Sequence, residues 1–237
     1  MNDMLERYEI IKEIGSGATS RVYLAEDRAI IRKVAIKQGT PKELLRKEAV
    51  FLANHPTGFS PMLYDFWEGE HRVCIIMEFI EGENLKERCK RIGRYTQEEV
   101  LQIACMTAKG IDCIHTKNPS YVYGDIKPEN IMVQPDGRVR IIDFGTAAKI
   151  DEEITAGEIR GGTKLYASPE RWQGRLDIRS DIYALGRLMQ VLLQMGGEQE
   201  IEEKVLRLIE KCIQEQPRYR YQSMSQFLVD AKECLSS

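Results

Sequence analysis

The hydrophobic period of this chain changes once, near residue 80, and that change restricts the folds open to it. Before it, apolar residues alternate in short runs: Tyr8 to Ile14, Val22 to Ala25, Lys33 to Lys37, Met62 to Trp67 and Arg72 to Phe79 read as strands. One helix interrupts them. Thr40-Pro41-Lys42-Glu43 reads as its capping box, and Leu44, Leu45, Glu48 and Leu52 follow before His55-Pro56 ends it. Beyond residue 80 the period is helical. Thr96 with Glu99 opens a long helix in which Val100, Ile103, Ala104, Thr107, Ala108, Ile111 and Ile114 recur up to His115. A short strand pair, Ile131 to Val133 and Val139 to Ile142, flanks the turn Pro135-Asp136-Gly137. Helices return at Ile178 to Gln194, Glu200 to Gln214 and Ser225 to Leu235. The pattern predicts a two-lobed α+β architecture in one domain over 1–237: a small β-rich N-lobe to about 79, a hinge at about 78–84 and a helical C-lobe from 85.

The composition narrows the class of function. A formal net charge of -3 provides no basic field for nucleic acid or an anionic membrane. No window approaches the roughly 18 uninterrupted apolar residues of a bilayer span, and the first residues carry no apolar stretch of a signal peptide. The six cysteines are scattered with no C-x-x-C pair, so reduced thiols in the cytoplasm are expected.

Four short segments carry chemistry. Gly15-x-Gly17 between two strands is either a tight hairpin or a loop whose N–H groups approach phosphates. Val34-Ala35-Ile36-Lys37 ends an apolar strand on a lysine, either a solvated charge or a phosphate ligand paired with a carboxylate of the next helix; Glu48 is the best placed. In Asp125-Ile126-Lys127-Pro128-Glu129-Asn130, Asp125 can accept or orient a hydroxyl proton, Lys127 can sit on a transferring phosphoryl, and Asn130 can ligate a metal. Apolar neighbours on both sides argue against a merely solvated loop. Asp143-Phe144-Gly145 follows Ile141-Ile142, a strand-terminal turn or a carboxylate suited to Mg²⁺.

Taken in order with Ser168-Pro169-Glu170, these segments resemble the protein-kinase signature set over almost the whole chain. Asp125 to Asn130 and Ser180-Asp181-Ile182-Tyr183-Ala184-Leu185-Gly186 resemble the bacterial branch of the eukaryotic-type Ser/Thr kinases. The resemblance implies a protein-kinase-like fold, ATP and Mg²⁺ (with Mn²⁺ as a substitute), and transfer of the γ-phosphate to Ser/Thr hydroxyls of proteins, this chain included. It implies that Ile14, Gly15, Gly17 and Val22 cover ATP, that Ala35 and Met132 sandwich adenine, and that Met77 is the gatekeeper. Glu78 and Ile80 become hinge contacts and Asn84 lies near the ribose. Lys37, paired with Glu48, holds the α/β-phosphates; Asp125 is the catalytic base, Lys127 the γ-phosphate contact, and Asn130 and Asp143 the metal ligands. Glu170 is expected to pair with Arg220, and Asp181 to brace the catalytic loop.

The chain departs from that pattern in three places. Ser20 stands for the third glycine of the loop. Tyr123-Gly124 precedes Asp125 where the family usually has His-Arg; Tyr123 can serve as apolar support under Phe144, but Gly124 cannot bind a phosphate as arginine does. Activation through an Arg-clamped phosphothreonine at Thr155 or Thr163 is therefore not expected. Between Gly186 and Glu200 the chain is too short for the usual substrate-docking helix, αG, which is missing or shortened. Two alternatives follow from these departures: a nucleotide-binding pseudokinase or scaffold, and a small-molecule kinase.

Overall fold

The computed structural model describes residues 6–17, 19–69, 73–150, 165–195, 197 and 200–236. Thr155 and Thr163 lie outside them. The chain divides into two compact units, one running to Glu81 and including Asp143–Gly145, the other comprising Gly82–Ile142 and the residues from Thr146 onward.

The first unit is a five-stranded antiparallel sheet in the order β1-β2-β3-β5-β4, formed by β1 (Tyr8–Ser16), β2 (Ser20–Asp27), β3 (Arg32–Gly39), β4 (Leu63–Glu68) and β5 (Val73–Glu78). Helix α1 (Lys42–Asn54) packs on β3, β4 and β5. Strand alternation sends Val34 and Ile36 to one face, where they join Tyr8, Ala25, Cys74 and Ile76 in a buried cluster. Ala35 and Lys37 take the other face. Because both faces of central β3 are covered, Lys37 is buried with its apolar neighbours.

Two expectations for α1 fail. Thr40 does not cap it: the N-cap position is Pro41, which has no side chain able to accept. Glu43 is instead drawn to Arg46, 2.5 Å away, and Arg46 also reaches Glu68 at 2.6 Å, so a surface charge network replaces the capping box. Leu44 is 38% exposed; the buried face runs through Leu45, Glu48, Ala49, Phe51 and Leu52. Leu44 sits one position, about 100° of helical turn, from Leu45 and falls off that face.

The second unit opens with β6 (Glu83–Asn84) and α2 (Leu85–Ile92), a helix the hydrophobic period does not predict. Asn84 and Glu87 form a reciprocal capping box, and Gly93 closes the helix with φ 85°. Helix α3 (Gln97–His115) carries the expected Thr96–Glu99 box and is the centre of the unit, packed against α5 (Ile178–Gln194) and α7 (Met224–Leu235). The short strands β8 (Ile131–Val133) and β9 (Val139–Ile141) pair across the predicted turn and join β6 in a three-stranded sheet. A two-stranded sheet joins β7 (Tyr121–Val122) to β10 (Ala148–Lys149). Helix α4 (Pro169–Trp172) precedes α5, and α6 (Glu203–Cys212) packs between α5 and α7. Among the described residues there is no helix between α5 and α6.

Candidate active site

In the first unit, strand β3 delivers Lys37 into a pocket of carboxylates. Its Nζ lies 2.6 Å from Glu48 Oε2 and 2.8 Å from Asp143 Oδ1. Burial opposes charge on both members of the Lys37–Glu48 pair. At Lys37 the fields of Glu48 and Asp143 outweigh burial and raise the pKa above its ordinary value. At Glu48 burial prevails over Lys37 and raises the carboxyl pKa. Glu48 Oε1 also accepts the Phe144 N–H at 3.3 Å, and Phe144 stacks on Phe51 with ring centroids 5.0 Å apart. Helix α1 thus fixes both the lysine and the Asp143-Phe144-Gly145 turn. Asp143 has φ 63°, uncommon for a residue with a side chain, and its Oδ1 accepts the Gly145 N–H at 3.3 Å. Its side chain remains 44% exposed, so solvent or a ligand has access to it.

The residues assigned to nucleotide contact within this unit lie along the sheet. Gly15 pairs with Val22, Val22 with Lys37, and Ala35 with Met77, which is buried. Ile14 is exposed on β1. The Gly17 N–H donates to Ser20 O at 2.8 Å, so that donor is engaged in closing the hairpin. Glu78 ends β5, its N–H bonded to Met62 O, and Ile80 is buried beyond it.

In the second unit, the segment from Asp125 to Asn130 forms a closed polar set. Asp125 Oδ2 accepts from Lys127 Nζ at 2.6 Å and from Asn130 Nδ2 at 2.8 Å; the same Nδ2 donates to the Asp125 carbonyl at 3.0 Å. Pro128–Asn130 makes a 3₁₀ turn that brings the amide back onto the acid five residues earlier. Both bonds of Asn130 use its nitrogen, which leaves the amide oxygen as the hard donor for a cation. Met132 follows on β8 opposite Asn84, whose side chain accepts the Glu87 N–H as the cap of α2.

Asp181, wholly buried at the start of α5, anchors this segment. It accepts the Tyr123 N–H at 2.8 Å and the Gly124 N–H at 2.7 Å, and its Oδ2 lies 2.9 Å from His115 Nε2. Tyr123, also buried, donates its hydroxyl to Ile142 O at 2.6 Å. His115 is thus more than a packed helix end: it is a partner of Asp181, a contact 66 positions away that local pattern does not reveal. Glu170 pairs with Arg220 and also accepts from Ser180 Oγ at 2.7 Å.

Among the described residues no cluster of three or more His, Cys, Asp and Glu side chains stands ready to bind a metal. Each unit by itself offers one hard oxygen donor, the half-exposed carboxylate of Asp143 in the first and the amide oxygen of Asn130 in the second.

Comparison with known proteins bears on the same segments. The sequence profile described as the protein kinase domain matches residues 8–197. The chain belongs to the protein kinase family. Its relatives include a probable serine/threonine-protein kinase of Clostridium perfringens, 31% identical over 87% of this chain and 32% of the relative. The serine/threonine-protein kinase PrkC of Bacillus subtilis is 35% identical over 79% of this chain and 30% of its own length. PknA of Corynebacterium glutamicum is 37% identical over 73% and 40%. The chain therefore spans about a third of the length of the curated relatives it matches. Among the described residues no helix is long and apolar enough to cross a membrane.

Proposed function

We propose that this chain transfers the γ-phosphoryl group of ATP to Ser or Thr hydroxyls of proteins, itself included, in the cytoplasm. The observation that carries the reading is the closed set Asp125–Lys127–Asn130, an acid held by a lysine and an amide at 2.6 and 2.8 Å. Its support is the kinship with serine/threonine kinases, and six free cysteines suit a reducing compartment.

In this reading Asp125 orients the acceptor hydroxyl and takes its proton as the new O–P bond forms and the bond to the β-phosphate oxygen breaks. Lys127 offsets the charge on the moving phosphoryl. Lys37, kept charged by Glu48 and Asp143, holds the α/β-phosphates. Ile14, Gly15, Gly17, Val22, Ala35, Met77, Glu78, Ile80, Asn84 and Met132 contact the nucleotide. Asn130 and Asp143 contribute the oxygen ligands of Mg²⁺, which when bound neutralises the phosphate oxygens.

The test is transfer from γ-labelled ATP with Mg²⁺ to the protein and to a generic basic protein, beside Asp125→Asn. Loss of a positioned base is expected to lower the rate by about 10²–10⁴-fold. Absence of label in the wild type, with ATP still raising its thermal midpoint, would replace this reading with a nucleotide-binding scaffold or a small-molecule acceptor.

A further inference from the structure

The glycine at 124 has a counterpart 47 positions downstream in the fold's own packing. Gly124 has φ 82°, and a Cβ placed there would lie 2.1 Å from Nη1, 2.4 Å from Nη2 and 2.5 Å from Cζ of Arg171. The guanidinium of Arg171 therefore occupies the space that any side chain at 124 would need.

Arg171 is only 5% exposed, and its Nε and Nη1 have no hydrogen-bond partner among the described residues. A buried guanidinium with unmade bonds is costly, and nearby carboxylates are what make it tolerable. Burial lowers its pKa, while the charges of Asp181 and Asp125 raise it; arginine nevertheless stays charged. Arg171 also lines a cavity of about 10 Å³ with Gly124, Asp125, Ser168 and Asp181, room for about one water. Besides Arg171, the charged groups lining that cavity are the carboxylates of Asp125 and Asp181. The base of Arg171 is fixed too, because adjacent Glu170 is locked by Arg220 and Ser180.

We propose that Arg171 is a positioning residue for phosphoryl transfer: its guanidinium, lodged over Gly124, is a permanent internal cation that holds the Asp125 segment in its working arrangement. The inference rests on the kinase reading above. It makes position 124 and position 171 a steric pair, in which the missing side chain of one is what admits the charge of the other.

The experiment compares wild type, Arg171→Met and Arg171→Lys by kcat, KM for ATP, thermal midpoint and amide exchange across residues 123–127. Arg171→Met is expected to lower kcat at least tenfold, leave KM for ATP within twofold, and speed exchange in that segment alone. Its thermal midpoint should change little, because the field lost at Asp125 and Asp181 is offset by removal of a buried cation with unmade bonds. Arg171→Lys should recover part of both kcat and exchange protection. Unchanged kcat and exchange in Arg171→Met would overturn the inference. So would a fall in kcat accompanied by a lower midpoint and faster exchange throughout the chain, which is the signature of a merely structural residue. If the wild type transfers no phosphoryl group, the kinase reading fails, and exchange alone decides whether Arg171 holds the segment.

Discussion

Glu170 and Arg220, fifty residues apart, meet in a buried two-pronged ion pair, with Nη1 2.6 Å from Oε1 and Nη2 2.8 Å from Oε2. Burial alone would push the Glu170 carboxyl up; bonds from Arg220 and Ser180 overcome it and lower its pKa from 4.5 to about 2. The carboxylate is therefore more acidic in the folded chain than in the unfolded one. Its contribution to stability is complete above the unfolded pKa and disappears as pH falls through the window from 4.5 to 2. Allowing for residual screening, the loss is about 2 kcal/mol. Urea melts between pH 5.5 and 2.5 are expected to show wild type losing that much more than Glu170→Gln. Parallel profiles would remove Glu170 from the acid response.

Lys37 answers to two carboxylates at once, and removing it should separate stability from chemistry. Lys37→Met leaves Glu48 buried without its cation, a change that costs about 3–5 kcal/mol. Phosphoryl transfer is expected to fall by about 10²-fold or more, as when a preorganised charge is removed. Adding Glu48→Leu should restore much of the stability, because the orphaned charge goes with it, and none of the activity. Chemical denaturation and labelled-ATP assays on the single and double variants measure both. A double variant as unstable as the single one would mean that the pair is not the source of the loss.

How far the sequence alone reaches depends on what holds each element. Strong periodicity located α5 at its observed bounds of Ile178 and Gln194, and β-branched alternation found all five strands of the first unit. Helix α2 escaped because LKERCKRI buries only Leu85 and Cys89; its cue was polar, the box from Asn84 to Glu87 with Gly93 after it. The Thr40 box misled because Arg46 competes for Glu43, a contest the residue types leave open. At the site, residues inside one motif were legible, since Asp125, Lys127 and Asn130 close on each other within a single loop. Arg171 was not: no motif of the sequence includes it, and only the fold buries it over Gly124.

Gly124 also bears on regulation. With glycine rather than arginine beside Asp125, a phosphate on Thr155 or Thr163 is not expected to be coupled to the base through that position. The double variant Thr155→Ala, Thr163→Ala is expected to retain activity within about threefold of wild type, with autophosphorylation at those sites lost. A fall of tenfold or more (RT ln 10, about 1.4 kcal/mol), with folding intact by circular dichroism, would show that the chain is switched there after all.

A close approach between two helices of the second unit makes a last prediction about packing. A Cβ on Gly186, in the middle of α5, would lie 2.5 Å from Cys212 Cβ and 2.8 Å from Ile213 Cγ2. Cys212 is fully buried at the end of α6, so it has no room to retreat. Alanine in place of a helical glycine ordinarily gains about 1 kcal/mol of propensity. Overpacking a close contact costs about 1–3 kcal/mol, and a shift of α6 would also disturb its packing on α7. The clash should win: Gly186→Ala is expected to lose about 1–2 kcal/mol, read as a lower urea midpoint with an unchanged slope. Cys212→Ala keeps the Cβ that Gly186→Ala strikes and removes only the sulfur, so it is not expected to rescue the variant. Cys212→Gly removes that Cβ and should recover part of the loss in the double variant. A Gly186→Ala protein as stable as wild type would show that the α5–α6 contact yields by several tenths of an ångström at little cost.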